Sequence, residues 1–140
     1  MAELKPILLV EDSPKDIELT LAALEQCQLA NAVVVVRDGA EALDYLRGQG
    51  AHAGRNTGDP AVVLLDLKLP KVSGLELLEA IRKSAAAREL PVIVASSSRE
   101  SRDVATCQEL GILAYLTKPI DGDEIVRILG QAGLIGADGG

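Results

Sequence analysis

The sequence predicts an α/β domain in which a doubly wound parallel sheet carries helices on both faces. Short apolar runs bounded by turn residues, such as Ile7 to Val10 and Ala61 to Leu65, are typical of strands buried on both sides. Helical patterns separate these runs, and such alternation implies right-handed crossovers between parallel strands. With 140 residues and 48% hydrophobic content, we expect one domain over 1–140, with a core at about 5–132.

The elements follow from the apolar runs and from helix-capping patterns. The predicted strands lie near residues 6–11, 32–37, 61–66, 91–96 and 113–117, and the predicted helices near 14–28, 39–48, 74–85, 99–110 and 122–132. Pro14 follows Ser13 at the first position of the first helix. The other helices begin with a capping oxygen three residues before a Glu: Asp38 to Glu41, Ser73 to Glu76, Ser97 to Glu100 and Asp121 to Glu124.

Four of the predicted strands end in side chains that can carry chemistry. These are Glu11 and Asp12 after the first strand, Asp66 at the end of the third, Ser96 at the end of the fourth and Lys118 after the fifth. The carboxyl ends of parallel strands meet at one edge, where such sheets bind ligands. Clustered carboxylates raise one another's pKa unless a cation lies among them, and oxygen ligands suit Mg²⁺ better than Zn²⁺. A bound cation would admit a phosphoryl group, with Asp66 as nucleophile and Lys118 and Ser96 as partners of its oxygens.

Taken singly, each of these residues has a structural explanation. Asp66 is of a type common in turns after strands, and Ser96 precedes a helix cap. Glu11 and Asp12 complement the positive end of the first helix, while the stem of Lys118 can pack on the sheet edge. The combination at one edge favours a functional site.

Composition and charge argue against several classes of function. The formal net charge of −7 disfavours binding to a nucleic-acid backbone, and a chain with no Trp, no Phe and two Tyr offers no base-stacking surface. No apolar run reaches the roughly 18 to 20 residues of a membrane span, and the N-terminus lacks the form of a signal peptide. We therefore expect a cytoplasmic protein without nucleic-acid or membrane partners. Cys27 and Cys107 have no CxxC partner and are expected to be packing residues.

The chain resembles the receiver domain of two-component response regulators over residues 5–132. The matching residues are Leu8 to Asp12, Leu65 to Pro70, Ser73-Gly74, Ser96 and Lys118-Pro119. The resemblance implies the flavodoxin-like strand order 2-1-3-4-5 and phosphorylation of Asp66 by a phosphohistidine of a sensor histidine kinase. It also implies Mg²⁺ bound by Asp12, Asp66, the backbone carbonyl of Lys68 and, through water, Glu11.

The same resemblance assigns roles to further residues. Ser96 takes the place of the switch Ser or Thr, Tyr115 that of the switch aromatic, and Lys118 that of the phosphate-binding Lys before a cis Pro119. Phosphorylation is then expected to move Ser96 and turn Tyr115 from the surface into the sheet edge, changing the face of the fourth helix, fifth strand and fifth helix. Lys68 and Ser98 occupy positions that tune the phosphoryl lifetime, and Lys68 departs from the Asn or Met more common there.

Within that class the chain is similar to the small regulators paired with bacterial phytochromes. This likeness rests on Val10 to Asp16, Arg37 to Gly39, Leu67 to Lys71 and the longer loop before the third strand. Only one helix and the tail 133–140 follow Pro119, so we expect a stand-alone receiver. Such proteins often dimerise, and a symmetric partner would cover Leu134 and Ile135, which predicts a homodimer.

Two other classes of protein are alternatives to a phosphorylated receiver. A phosphohydrolase with an Asp nucleophile needs a second carboxylate two residues on, and position 68 is Lys. A receiver that only docks proteins, independently of phosphorylation, would have lost an acidic residue or the Lys of the site. We therefore predict a response regulator that catalyses only its own phosphorylation and dephosphorylation. Its expected partners are a sensor histidine kinase and a phosphotransfer protein or downstream target.

Overall fold

The fold is described by a computed structural model for residues 5–27, 31–47, 60–69, 72–84, 88–97 and 101–133. Within these residues strands and helices alternate along the chain, as predicted. The strands are β1 (Ile7–Val10), β2 (Val33–Val36), β3 (Val62–Asp66), β4 (Val92–Ser96) and β5 (Ala114–Thr117). The helices are α1 (Pro14–Gln26), α2 (Gly39–Arg47), α3 (Gly74–Lys83), α4 (Ser101–Glu109) and α5 (Gly122–Gln131).

The strands form one parallel sheet in the order β2-β1-β3-β4-β5, which confirms the predicted order. Val10 at the end of β1 pairs with Leu65 in β3, and Ser96 at the end of β4 pairs with Thr117 in β5. This register places the carboxyl ends of the central strands at one level. The polar residues that end or follow these strands therefore share one edge of the sheet.

The two faces of the sheet pack against different helices because alternate strand residues point to opposite sides. Leu8 and Val10 of β1 belong to a cluster with residues of α2, α3 and α4, while Ile7 and Leu9 belong to a cluster with residues of α1 and α5. All four residues are buried. The strands are therefore covered on both faces, as the uniformly apolar runs predicted.

The starts of α2 and α3 show how far the capping patterns hold. Ser73 and Glu76 form a full capping box, in which each side chain accepts a hydrogen bond from the other residue's backbone N–H at 3.2 Å. At α2, Asp38 accepts from the N–H of Glu41 at 2.7 Å, as predicted. The carboxylate of Glu41 accepts from the N–H of Arg37 at 3.1 Å.

The start of α5 has a simpler cap than the sequence pattern predicted. Asp121 accepts a hydrogen bond from the N–H of Asp123 at 2.9 Å. Glu124 Oε2 instead lies 3.7 Å from Nη2 of Arg127, which is three residues further along the same helix. The cap predicted for α4 at Ser97 to Glu100 extends outside the described residues.

The helices are short, and α3 ends before the predicted position. Ser84 has an extended backbone with φ −79° and ψ 125°, which ends α3 at Lys83 instead of near residue 85. Helix α1 has 13 residues. In the part of the chain that the structure describes, no helix has the length and hydrophobicity to cross a membrane.

The amino-terminal edge of the sheet is tied together by Arg82 of α3. Its guanidinium donates to the carbonyl oxygens of Leu110 at 2.6 Å, Leu90 at 2.7 Å, Arg88 at 3.1 Å and Gly111 at 3.1 Å. These carbonyls belong to the segments that lead into β4 and β5. One side chain thus fixes α3 against the entries of two neighbouring strands.

Candidate functional site at the carboxyl edge of the sheet

The polar residues predicted at the carboxyl edge lie there in the structure. Glu11 follows β1, Asp66 ends β3, Ser96 ends β4 and Lys118 follows β5. Glu11, Asp66 and Ser96 are only 2%, 7% and 1% exposed, which is unusual for such polar groups. The N–H of Lys118 donates to the carbonyl oxygen of Ser96 at 3.0 Å, and the bond to Pro119 is cis, as expected.

The ammonium of Lys118 lies among three carboxylates. Its Nζ is 2.5 Å from Glu11 Oε1, 2.9 Å from Asp16 Oδ2 and 3.1 Å from Asp66 Oδ2. An ammonium offers three N–H donors, so each has a carboxylate acceptor here. Lys118 is therefore the counter-ion of the acidic cluster.

Burial and charge act in opposite directions on the titrating groups of this cluster. Burial raises the pKa of Glu11 and so does the nearby charge of Asp66, while the hydrogen bond from Lys118 opposes this rise. Burial lowers the pKa of Lys118, but its hydrogen bonds to Glu11 and Asp16 and the charge of Asp66 raise it more. The net shift of Lys118 is upward, so its ammonium stays charged near neutral pH.

Three carboxylates of the cluster are placed to share a cation. Glu11, Asp12 and Asp66 each offer one oxygen, and these oxygens all lie within 4.8 Å of one another. Asp12 is exposed and the other two are buried, so the group is open to solvent on one side. Oxygen ligands with room for water fit a hard divalent cation. The residues present therefore fit the predicted metal site.

The loop from β3 to α3 fixes the backbone of Asp66. A Cβ at Gly74 would overlap the carbonyl oxygen of Asp66 and the Cα of Leu67, so only Gly allows α3 to begin this close to β3. The N–H of Gly74 also donates to the carbonyl oxygen of Leu67 at 3.0 Å. On the side-chain side, Asp66 Oδ1 accepts from the N–H of Lys68 at 3.1 Å. The Ser73-Gly74 pair thus both caps α3 and holds the end of β3.

Asp16 contacts Lys118 although the sequence did not single it out as a site residue. It lies in the first turn of α1, where its N–H donates to Ser13 Oγ at 3.3 Å and Pro14 begins the helix. This capping pattern places residue 16 beside the end of β1. A signal for its position was therefore present in the sequence, but its partner Lys118 is 102 residues away.

The remaining residues singled out in the sequence differ in their burial and in whether they are among the described residues. Tyr115 is half-buried and packs against the core cluster of β1, β3 and β4, whereas the sequence placed it on the exposed surface. Lys68 is exposed beside Asp66. Ser98 and the apolar tail residues Leu134 and Ile135 lie outside the described residues.

The strand order and the acidic cluster beside Lys118 define a receiver domain, the class that the sequence resembled. A family model described as the response regulator receiver domain matches residues 7–130. The chain belongs to this response regulator receiver family.

Several phytochrome response regulators are similar to this chain. The structure of the bacteriophytochrome response regulator AtBRR is 54% identical, covers 97% of each chain and has a TM-score of 0.88. Response regulator Rcp1 of Synechocystis is 38% identical over 114 residues, 81% of this chain and 76% of Rcp1. Its Mn²⁺-bound structure covers 90% of each chain with a TM-score of 0.75 and 35% identity. The phosphorylated cyanobacterial phytochrome response regulator RcpA is 36% identical over 93% of this chain and 91% of its own, with a TM-score of 0.77.

Proposed function

We propose that Asp66 accepts a phosphoryl group from a phosphohistidine of a sensor histidine kinase. The observation that carries this proposal is the position of Asp66 Oδ2, 3.1 Å from the ammonium of Lys118. An Asp66 oxygen would attack phosphorus, the P–N bond would break, and the imidazole would leave with the electron pair. Lys118 would then stabilise negative charge on the transferred oxygens.

A divalent cation, which we take to be Mg²⁺, would be held by Asp12, Asp66, the backbone carbonyl of Lys68 and, through water, Glu11. The close approach of the three carboxylate oxygens supports this assignment, as does the Mn²⁺-bound structure of the relative Rcp1. Bound there, the cation would neutralise charge between the carboxylates and the entering phosphoryl group. Lys118 contacts two of the same carboxylates, so the cation and the ammonium would share the task of balancing their charge.

We further propose that Ser96 donates its hydroxyl to a phosphoryl oxygen and that this movement reaches Tyr115. Ser96 is 1% exposed at the end of β4, so a small shift of its side chain changes packing instead of solvent contact. Tyr115 is already half-buried, and the switch would therefore deepen an existing contact. Ser96→Ala should keep labelling at Asp66 and lose most of the phosphorylation-dependent change in affinity for the kinase or target. Lys68 and Ser98 would tune the lifetime of the phosphoryl group.

The partners proposed are a phytochrome-type kinase and a phosphotransfer protein or downstream target in the cytoplasm. The likeness to AtBRR and RcpA supports the phytochrome link. We also propose a homodimer, supported by the exposed Leu113, which is 40% exposed on the approach to the edge strand β5. Light scattering at micromolar concentrations should show a dimer. A monomer in both the phosphorylated and unmodified forms would contradict it.

The central test is labelling with acetyl phosphate and Mg²⁺, followed by intact mass. One phosphoryl group should appear on the wild-type chain and on Asp44→Asn, a matched control on α2, but not on Asp66→Asn. No label should form when EDTA removes the metal beforehand. The rival function, docking without phosphorylation, predicts an unlabelled wild type whose affinity for the kinase matches that of Asp66→Asn.

A further inference from the structure

Asp16 contacts Lys118 but stands apart from the carboxylates that could share a cation. Its Oδ2 lies 2.9 Å from the ammonium, yet the group of oxygens within 4.8 Å of one another comes from Glu11, Asp12 and Asp66. The side chain of Asp16 is 34% exposed, compared with 3% for Glu11 and 8% for Asp66. Asp16 is therefore the partner of Lys118 that is both outside the cation group and open to solvent.

The three donors of the Lys118 ammonium are all engaged. A phosphoryl oxygen on Asp66 can accept a hydrogen bond from Lys118 only when one of these partners releases it. A cation held directly by Asp66 and through water by Glu11 would draw on the oxygens of those two residues. Asp16 would then be the carboxylate that still competes with the phosphoryl group for the ammonium.

The backbone around Asp16 keeps this carboxylate near the end of β1. Its N–H is bonded to Ser13 Oγ at 3.3 Å, and Pro14 fixes the first turn of α1. The N–H of Ser13 in turn donates to Glu11 Oε2 at 3.2 Å. Asp16 is thus anchored to the helix start and cannot follow Lys118 freely toward Asp66.

Building on the proposed function, we propose that Asp16 is a positioning residue that holds Lys118 and competes with the phosphoryl oxygens for its ammonium. The presence of Asp16 lowers the affinity of the site for a phosphoryl group on Asp66. Removing its charge should therefore tighten the binding of a phosphoryl analogue, because the ammonium then has one competing carboxylate fewer.

Beryllofluoride with Mg²⁺ is a suitable probe, because it binds to the carboxylate of a phosphoacceptor Asp without chemical turnover. Titrated by fluorine NMR, Asp16→Asn should bind beryllofluoride about threefold more tightly than the wild type, since a partly exposed ion pair has a small effect. The matched control is Glu18→Gln, which removes the same charge from an exposed position on the same helix. Equal tightening in both variants, or weaker binding in Asp16→Asn, would overturn the proposal.

A second readout follows Asp16 itself. In protein labelled with carbon-13 at the Asp carboxyl groups, the Asp16 signal, assigned by its loss in Asp16→Asn, should move when beryllofluoride binds because the ammonium leaves. A stationary signal would show that Lys118 keeps its bond to Asp16. If the wild type binds no beryllofluoride and takes no phosphoryl group, the proposed function has failed; if it binds but matches Asp16→Asn, only this inference has.

Discussion

Two cations lie at opposite edges of the sheet, and they differ in what surrounds them. The ammonium of Lys118 at the carboxyl edge donates hydrogen bonds to the carboxylates of Glu11, Asp16 and Asp66. The guanidinium of Arg82 at the amino edge donates hydrogen bonds to four backbone carbonyl oxygens. Charged partners raise the pKa of Lys118 despite burial, whereas burial lowers the pKa of Arg82.

This difference separates a cation with charged side-chain partners from a cation with neutral backbone partners. The partners of Arg82 are backbone carbonyl oxygens, which carry no net charge. The partners of Lys118 are carboxylates, which can release an ammonium when a metal ion balances their charge instead. The edge with the charged partners is therefore the one that can respond to a ligand.

The largest effect is expected for Lys118→Met. Its rate of labelling by acetyl phosphate should fall by about 100-fold to 1,000-fold, the usual cost of removing one donor that stabilises transition-state charge. Mass spectrometry over time gives the rate for the folded fraction. Lys15→Met, which removes an exposed charge from α1, is the control and should label normally. Equal rates in these two variants would mean that the ammonium has no role in transfer.

Arg82→Met should act on stability instead of labelling. Four carbonyl acceptors lose a charged donor, and we expect the free energy of unfolding to fall by about 2 to 3 kcal/mol. This loss is small for four hydrogen bonds because two of them are exposed to solvent. Denaturant titration measures this. The neighbouring Lys83→Met removes an exposed cation from the same helix and should change stability little. A similar loss in both variants would remove the distinction between the two edges.

Mg²⁺ should stabilise the protein only through the carboxyl edge. At about ten times the dissociation constant, linkage gives about 1.4 kcal/mol of added stability. Thermal unfolding should show the same increment in Arg82→Met, and a smaller one in Asp12→Asn, which loses an exposed carboxylate oxygen of the candidate metal group. EDTA should reverse the effect. Full stabilisation of Asp12→Asn would place the metal elsewhere.

The smallest effect tests a neutral contact near the carboxyl edge. Ser73→Ala removes one half of the capping box of α3 and should lower the free energy of unfolding by about 1 kcal/mol, with labelling of Asp66 unchanged. Ser73→Asp keeps an acceptor and should stay within a few tenths of a kcal/mol of wild type. A slower label in Ser73→Ala at full stability would show that the cap also orients Asp66.

The sequence predicted the Lys118 side of this comparison and missed the Arg82 side. Glu11, Asp66 and Lys118 each follow an apolar run, which is a local signal, and the parallel sheet brings such positions together. Arg82 bonds to carbonyls, and every residue has one, so no side-chain pattern identifies its partners. Asp16 was missed because its contact with Lys118 depends on how α1 is placed against β5.

The same locality explains which helix caps were predicted correctly. Ser73 and Glu76 are three residues apart and need only each other, so their capping box formed as expected. Glu124 had the same spacing from Asp121 but also Arg127 three residues ahead, and it pairs with that side chain. Where two local partners compete, spacing alone does not choose between them.

The placement of the two tyrosines gives the protein a built-in optical signal. With no Trp and no Phe in the chain, its near-ultraviolet absorbance and emission come from Tyr45 and Tyr115. Tyr45 is 3% exposed in the core, so its contribution should remain constant while the fold is intact. Tyr115 is half-buried on the edge strand β5, where its ring meets both solvent and core. A change in tyrosine emission on phosphorylation would therefore report on one residue, without any dye or added label.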